Sequence, residues 1–262
     1  MRIFHALLGW LHRNEEKLAL PTTAGSLVNQ ACAALARGDF LAARRFLLKV
    51  VEHRDEIQDV GSLTWIFSSL AWTWFESEQY RDCADFFSQY IADHPSDALS
   101  YFCRGGAFWY SGDVTAAIED YSKALEIIPN DSRTLSARGQ VFVERGEWQK
   151  AVQDLDAALN HIGQARVPNE RWRTALRAFA LNGRAAAYAG LGEFDRALTE
   201  FENSILLCPQ NAWVYYNRAE AYERRGRTAE ALENYKLALT MKSPSLNALR
   251  RQKAELKVKT LR

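Results

Sequence analysis

The sequence has little glycine, proline or cysteine, with 14, 6 and 4 residues among 262. The four cysteines are scattered, without a Cys-x-x-Cys pair, so we expect reduced, buried thiols and a cytoplasmic protein rather than a disulfide scaffold or a zinc site. No apolar run approaches the roughly 18 residues that a membrane span requires. The net charge of +1 is too small to produce an overall electrostatic attraction to nucleic acid. Scarce glycine and proline are typical of helices joined by short turns.

Motifs that carry chemistry are missing as well. The sequence contains no phosphate-binding loop, no His-Glu-x-x-His zinc motif, no EF-hand loop and no nucleophile elbow. Its five histidines lie far apart and share no metal-ligand spacing. We therefore predict that the protein is not an enzyme and that it binds no cofactor and no metal.

The first 20 residues have the pattern of an amphipathic helix. Ile3 to Leu11 are apolar apart from His5, Arg2 is the only early charge, and no small-residue cleavage site follows closely. Pro21 then ends the pattern. An amphipathic helix over residues 1–20 is therefore predicted in preference to a signal peptide.

The rest of the chain repeats itself. Residues 101–108 (YFCRGGAF) match residues 215–222 (YYNRAEAY), and each segment is followed by glycine, alanine, an aromatic residue and Ala-Leu at the same spacing. Three of the five intervals between units are 34 residues, and the other two carry insertions, one of them over 163–177. The six predicted repeats, numbered one to six, are 24–57, 64–97, 98–131, 132–165, 178–211 and 212–245.

Small and large side chains occupy fixed positions in these repeats. Position 8 is alanine or glycine and position 20 is alanine or cysteine, which lets two helices approach closely, while large residues at positions 11 and 24 fill the remaining space. Position 15 is glycine in five repeats, which suits a left-handed end of the first helix, and proline stops the second helix in three. The pattern predicts helix–turn–helix units. Position 24 is Phe87, Tyr121, Leu155, Phe201 and Tyr235 in repeats two to six.

This pattern resembles the tetratricopeptide repeat family, whose signature stands almost unaltered in residues 98–131, and the resemblance covers residues 24–245. It implies an all-α fold, a right-handed α–α superhelix of stacked helix pairs. It also implies that residues 246–262 form a basic helix that caps the solenoid. Within the insertion, Pro168 and Asn169 suggest a helix start, so that residues 170–177 lengthen the first helix of repeat five.

In this family the ligand groove is lined by positions 2, 5, 9, 12 and 13 of each repeat. Several of these positions here carry tryptophan or other aromatic residues that the repeat fold does not require, and aromatic residues on a solvent-facing stripe usually mark an interaction surface. We therefore predict a scaffold or adaptor that binds a peptide segment or a partner subunit in an aromatic-lined concave groove. The predicted binding residues are Trp65, Trp72, Phe75, Phe102, Trp109, Tyr110, Arg133, Gln140, Phe179, Asn182, Trp213 and Tyr216.

Two other interpretations of the aromatic residues stay open. The rings also suit packing against neighbouring helices in a tight superhelix, and the N-terminal helix suits either the groove or a cap over repeat one. A clamp for chaperone C-terminal carboxylates is not indicated, because no repeat has Lys and Asn at positions 5 and 9 or Lys and Arg at positions 2 and 6.

Nucleic acid and membranes are the alternative partners. Basic residues in the C-terminal helix and in the insertion suggest a nucleic-acid-associated accessory subunit, although a solvated helix is the simpler interpretation of both segments. The basic residues of the insertion are Arg166, Arg171, Arg173 and Arg177. Residues 3–11 suggest peripheral membrane attachment at most, because the segment is short and carries little charge. The sequence favours a protein or peptide partner over both, and it does not indicate an oligomeric state.

Overall fold

The computed structural model describes residues 22–164, 170–241 and 248–261. Within these ranges there are thirteen α-helices and no strand, which confirms the predicted all-α solenoid. The helices are α1 Thr22–Ala36, α2 Phe40–Val51, α3 Val60–Phe75, α4 Tyr80–Asp93, α5 Ala98–Ser111, α6 Val114–Ile127, α7 Ser132–Arg145, α8 Trp148–His161, α9 Glu170–Gly190, α10 Phe194–Leu207, α11 Ala212–Arg224, α12 Thr228–Thr240 and α13 Ala248–Thr260.

Each predicted repeat contains two of these helices, so that the odd-numbered helices α1 to α11 are first helices and the even-numbered ones are second helices. The predicted amphipathic helix over residues 1–20 lies outside the described residues. The same holds for Arg166, Pro168 and Asn169 of the insertion.

The described residues form two compact units. The N-terminal unit contains residues 22–134 with Gln164 and Glu170, and the C-terminal unit contains residues 135–163, 171–241 and 248–261. In the N-terminal unit each helix from α1 to α5 packs on the next, and the first helices α3 and α5 also contact each other. In the C-terminal unit α10 packs on α11, α11 on α12, and α12 on α13. Packing between neighbours in sequence is how repeat proteins build a continuous core.

Aspartate side chains begin several helices. Asp39, Asp59, Asp97 and Asp113 each accept a hydrogen bond from the backbone N–H three residues later, at 3.0, 2.6, 2.9 and 3.1 Å. A helix leaves its first N–H groups without partners inside the helix, and an aspartate at the N-cap satisfies one of them. The sequence therefore fixes where α2, α3, α5 and α6 begin.

A left-handed residue joins the two helices of each repeat. Repeat two lacks glycine at position 15, and its Glu78 has a φ of 55°. A side chain at positive φ brings Cβ close to the backbone, so Glu78 holds a conformation that glycine enters without that cost. The predicted role of glycine is confirmed at Gly38, Gly112, Gly146, Gly192 and Gly226, where φ is 74, 90, 75, 83 and 72°.

Glycine at position 8 allows the second helix of a repeat to approach the first. A Cβ atom on Gly139 would lie 2.7 Å from Cγ of Leu155, and one on Gly105 would lie 2.9 Å from the Tyr121 ring. Leu155 and Tyr121 occupy position 24 and are 0% and 1% exposed. The predicted complementarity between positions 8 and 24 is therefore confirmed in repeats three and four.

The first helix of repeat five is extended at its N-terminal end. Helix α9 runs for 21 residues from Glu170 to Gly190, as the sequence predicts for residues 170–177. Trp172 and Leu176 in this extension are buried. Apolar burial therefore fixes the extra turns to the C-terminal unit.

Candidate functional site

The twelve predicted binding residues all lie on the first helices of repeats two to six, and they divide between the two units. The N-terminal unit contains Trp65, Trp72, Phe75, Phe102, Trp109, Tyr110 and Arg133, and the C-terminal unit contains Gln140, Phe179, Asn182, Trp213 and Tyr216.

Half of these twelve side chains are buried, none of them more than 4% exposed. The expectation that the whole stripe faces solvent is therefore wrong for Trp65, Trp72, Gln140, Asn182, Trp213 and Tyr216. The other six side chains are partly buried and keep some surface exposed. Partner binding by the twelve residues stays a prediction.

Aromatic rings from α3, α4 and α5 meet in the N-terminal unit. The ring centroid of Phe75 lies 4.8 Å from that of Tyr110, while Tyr80 and Trp109 stack on Tyr110 at 6.0 and 5.5 Å. We call these four partly buried rings the aromatic cluster. Tyr80 is not among the binding residues predicted from the sequence, because it begins the second helix of repeat two and lies outside the five groove positions. Its spacing of five residues from Phe75, across a short turn, is the signal that was available.

A small residue makes room for this cluster. Gly106 occupies position 9 of repeat three, and a Cβ atom there would lie 3.4 Å from the Phe75 ring. Phe75 therefore packs over the backbone of α5 while part of its ring stays exposed. Burial, together with the charges of Glu78 and Glu76, raises the pKa of the Tyr80 hydroxyl, so this phenol is uncharged at neutral pH.

Arg133 interacts with other residues of the N-terminal unit. Its Nη1 donates a hydrogen bond to Thr64 Oγ1 at 3.0 Å, its Nε pairs with Asp131 at 3.0 Å, and its guanidinium carbon lies 5.9 Å from the Phe102 ring centroid. The side chain of Arg133 is 11% exposed. Three interactions inside the unit leave little of this guanidinium group for a ligand.

Polar contacts account for the buried amides of the C-terminal unit. Gln140 Nε2 donates a hydrogen bond to the carbonyl oxygen of Phe179 at 2.9 Å, and a Cβ atom on Gly183 would lie only 2.3 Å from that nitrogen. Asn217 Nδ2 donates to Asn182 Oδ1 at 3.2 Å. These bonds join the first helices α7, α9 and α11, so packing between neighbouring helices explains why Gln140 and Asn182 are buried.

Trp213 and Tyr216 also face neighbours within the C-terminal unit. The Trp213 ring lies 5.6 Å from Phe179 and 4.7 Å from the guanidinium carbon of Arg250. The Tyr216 hydroxyl donates a hydrogen bond to Glu220 at 3.0 Å. Burial raises the pKa of Tyr216 and also that of Glu220. For these two aromatic residues the structure supports packing against neighbouring helices.

Two cysteines lie buried in the N-terminal unit. Burial raises the pKa of the Cys83 and Cys103 thiols, which suppresses the reactive thiolate. No group of three or more His, Cys, Asp or Glu side chains is placed to hold a metal within the described residues. Over the same ranges, no helix combines the length and the apolar character that crossing a membrane requires.

A recurring pair that the sequence analysis missed joins the two helices of repeats three to six. The arginine at position 7 of the repeat, on the first helix, donates a hydrogen bond to an acid or amide on the second helix. That partner occupies position 23 of the same repeat, sixteen residues later. A search for complementary side chains at this fixed spacing would have found it. The pairs are Arg104–Asp120, Arg138–Asp154, Arg184–Glu200 and Arg218–Asn234, with shortest distances of 2.7, 2.7, 2.6 and 2.7 Å.

Comparison with solved structures gives the same architecture. A chain of the APC/C hetero-tetramer Cut9–Hcn1 is 18% identical with a TM-score of 0.69, over 97% of this chain and 48% of that one, so the present chain spans about half its length. A tetratricopeptide repeat protein from Parabacteroides merdae is 16% identical with a TM-score of 0.51, over 92% and 99%. The type IV pilus biogenesis factor PilW is 17% identical with a TM-score of 0.56, over 75% and 92%.

Identities this low establish the fold alone, and the family follows from the sequence itself. Two profiles described as tetratricopeptide repeat match residues 70–132 and 176–243, together half of the chain. Both matched segments consist of helix pairs, and the position-15 glycines that they contain, Gly112 in the first and Gly192 and Gly226 in the second, have positive φ. The chain belongs to the tetratricopeptide repeat family.

Proposed function

We propose that this chain is a non-catalytic adaptor that binds a peptide segment or a partner subunit through the aromatic cluster of its N-terminal unit. Tetratricopeptide repeats in general act as protein–protein interaction scaffolds. The specific proposal assigns the contact surface to Phe75, Tyr80, Trp109 and Tyr110, with Phe102 about two helical turns before Trp109 on α5.

One observation carries this proposal: the four rings are partly exposed although they pack on each other. Packing within and between the helices of a repeat uses positions 8, 11, 20 and 24, and Trp109 and Tyr110 occupy none of these. Ring centroids 4.8 to 6.0 Å apart hold the cluster in place. A surface of rigid aromatic rings loses little conformational entropy on binding, so it suits an anchor for apolar side chains.

The negative charge beside the aromatic cluster narrows the class of peptide segment that would bind there. Glu76 and Glu78 lie at the end of α3 and in the turn that follows, and both act electrostatically on Tyr80. An apolar anchor flanked by a basic residue would therefore be favoured over one flanked by an acidic residue.

We do not extend the proposal to nucleic acid. Two of the basic side chains that motivate that alternative, Arg250 and Lys257, form ion pairs with Glu144 and Glu223. Phosphate contacts need cations that are available to replace counterions, and these two already have acidic partners.

The proposal is tested by affinity capture with crosslinking from the native cell, using the full chain and a Trp109→Ala, Tyr110→Ala variant. A matched control, Leu41→Ala, removes an apolar side chain that is 56% exposed on a second helix of the same unit. We expect the double variant to lose the captured proteins, the control to keep them, and circular dichroism to show the same helix content in all three. Equal capture by the double variant and the wild type would contradict the proposal.

A further inference from the structure

The last helix of the chain covers part of the C-terminal unit. Arg250 of α13 contacts Glu144 at the end of α7, and its guanidinium carbon lies 4.7 Å from the ring centroid of Trp213 in α11. Seven residues later, Lys257 contacts Glu223, also in α11. One face of α13 therefore brings two cations to groups on two first helices.

The groups that meet these cations form an acidic–aromatic surface, which we define as Glu144, Trp213, Glu220 and Glu223. These residues occupy positions 13, 2, 9 and 12 of their repeats, the same positions that the sequence analysis assigned to the groove. The Tyr235 hydroxyl donates to Glu223 at 2.9 Å, as the Tyr216 hydroxyl does to Glu220. Hydrogen bonds from neighbouring phenols thus fix the carboxylates in place before any cation arrives.

Polar contacts hold part of α13 on the unit, beside the buried Ala254 and the partly buried Val258 and Leu261. Ala254 is the only fully buried residue among 250–261, and Leu256 is 59% exposed. The side chains of Lys257 and Glu223 remain 42% and 29% exposed in their ion pair. Partly exposed ion pairs and a cation–π contact are weak individually and are screened by salt, so another cationic helix can replace this polar part of the contact.

We propose that the acidic–aromatic surface is a binding site for a basic α-helical segment of a partner protein, and that α13 occupies this site in cis as a competitor. The partner helix would carry arginine and lysine seven residues apart, with a small residue four positions after the arginine. This is the spacing of Arg250, Ala254 and Lys257, which places all three on one helix face. The proposal concerns a different surface from the aromatic cluster and does not depend on it.

The chemistry of the surface selects arginine over lysine at the first of these positions. A guanidinium group stacks its flat face on an indole ring while its N–H groups point outward to a carboxylate, which an ammonium group cannot do simultaneously. Trp213 and Glu144 provide those two partners for Arg250. Because α13 belongs to the same chain as the surface, its effective concentration there is on the order of millimolar, so a free helix competes poorly while α13 is intact.

The test uses a fluorescein-labelled peptide of residues 246–262 as the probe and the full-length protein as the receptor, with binding followed by fluorescence anisotropy at low salt. The Arg250→Glu, Lys257→Glu variant of the protein weakens the cis contact and leaves the acidic–aromatic surface unchanged. We expect this variant to bind the wild-type peptide at least tenfold more tightly than the wild-type protein does. The milder Arg250→Gln, Lys257→Gln variant should show the same change to a smaller extent. It provides a second measurement of the same effect if the first variant folds poorly.

Two controls separate a binding site from a structural cap. Adding Glu144→Lys and Glu223→Lys to the Arg250→Gln, Lys257→Gln protein should abolish binding of the wild-type peptide. The same protein should bind a peptide in which Arg250 and Lys257 are replaced by glutamate. The proposal is overturned if the folded Gln or Glu variants bind the peptide no better than the wild type, or if binding is indifferent to the charges at positions 144 and 223. Neither result depends on whether the aromatic cluster binds a partner.

Discussion

Arg104 forms a bidentate ion pair with Asp120: Nε and Nη2 of the arginine donate hydrogen bonds to separate carboxylate oxygens at 2.8 and 2.7 Å. The pair joins α5 to α6 within repeat three, and the side chains are 20% and 7% exposed. Parallel bonds of this kind fix orientation as well as distance. Pairs at the same two positions, which we call clamps, recur in the next three repeats, with two parallel bonds in Arg138–Asp154 and one bond each in Arg184–Glu200 and Arg218–Asn234. We infer that each clamp helps to set the angle between the two helices of its own repeat.

Removing the arginine of this pair should destabilise the protein substantially. Arg104→Ala leaves the carboxylate of Asp120 buried without its cation, so we expect the free energy of unfolding to fall by about 3 kcal/mol. Urea denaturation followed by circular dichroism measures the change. Lys123→Ala is the matched control, because Lys123 and Glu126 form an exposed pair in the same repeat with 58% and 63% of their side chains exposed. An equal loss in both variants would show that the buried clamp has no special role.

The close approach of helices in repeat four should make Gly139 intolerant of a side chain. A Cβ atom there would lie 2.7 Å from Leu155 Cγ, so Gly139→Ala should lower the free energy of unfolding by about 1–3 kcal/mol through overpacking. In a Leu155→Ala background the same substitution should cost much less, since the clashing atoms are gone. Additive effects of the two substitutions in a double-mutant cycle would contradict this account.

The turn of repeat two should be improved by glycine. Glu78 has a φ of 55°, so Glu78→Gly removes backbone strain and should raise the free energy of unfolding by about 1 kcal/mol. Gly112→Ala tests the reverse change at the equivalent position of repeat three, where φ is 90° and no atom lies within 4 Å of the added Cβ. It should cost about as much. Thermal unfolding that moves in the same direction for both variants would rule out strain as the cause.

Glu220 should give the C-terminal unit a pH-dependent stability. Burial raises its pKa above the unfolded value, against the opposing effects of the Tyr216 hydroxyl and of Arg224, Arg250 and Lys253. A carboxyl group with a raised folded-state pKa costs stability once the pH exceeds the unfolded pKa, because the unfolded chain releases the proton first. Glu220→Gln should therefore stabilise the protein at pH 7.

The gain should shrink as the pH falls below the ordinary glutamate pKa of about 4.3, where both states hold the proton. Urea midpoints of wild type and Glu220→Gln, measured between neutral and acidic pH, test this. A difference that does not change with pH would exclude the titration of Glu220 as its source.

The repeat pattern made most of the fold predictable. Positions 8, 15 and 24 are local requirements for close approach, a left-handed turn and a filled interface, and Gly139, Gly112 and Leu155 meet them as the sequence alone indicates. The extension of α9 was also predictable, because Pro168 and Asn169 form a helix-start signal.

The exposure of the groove residues was less predictable, because it depends on partners far away in sequence. Trp213 is covered by Phe179, 34 residues earlier, and by Arg250, 37 residues later. Gln140 is buried, and it donates a hydrogen bond to the carbonyl oxygen of Phe179. No pattern within one repeat reveals this contact, because the two residues belong to different repeats. A helical wheel gives the direction of a side chain but not the residues that pack against it. The packing of neighbouring repeats therefore decides which rings remain exposed to solvent.

The central claim, that the aromatic cluster contacts a protein partner, is tested most directly by site-specific photo-crosslinking in the native cell. A benzophenone amino acid is placed at position 109 in one protein and at position 41 in another, both partly or fully exposed sites of the N-terminal unit. The account predicts a discrete crosslinked product from position 109 that is absent from position 41 and disappears when Tyr110→Ala is added. No product at position 109, or the same product from both positions, would contradict it.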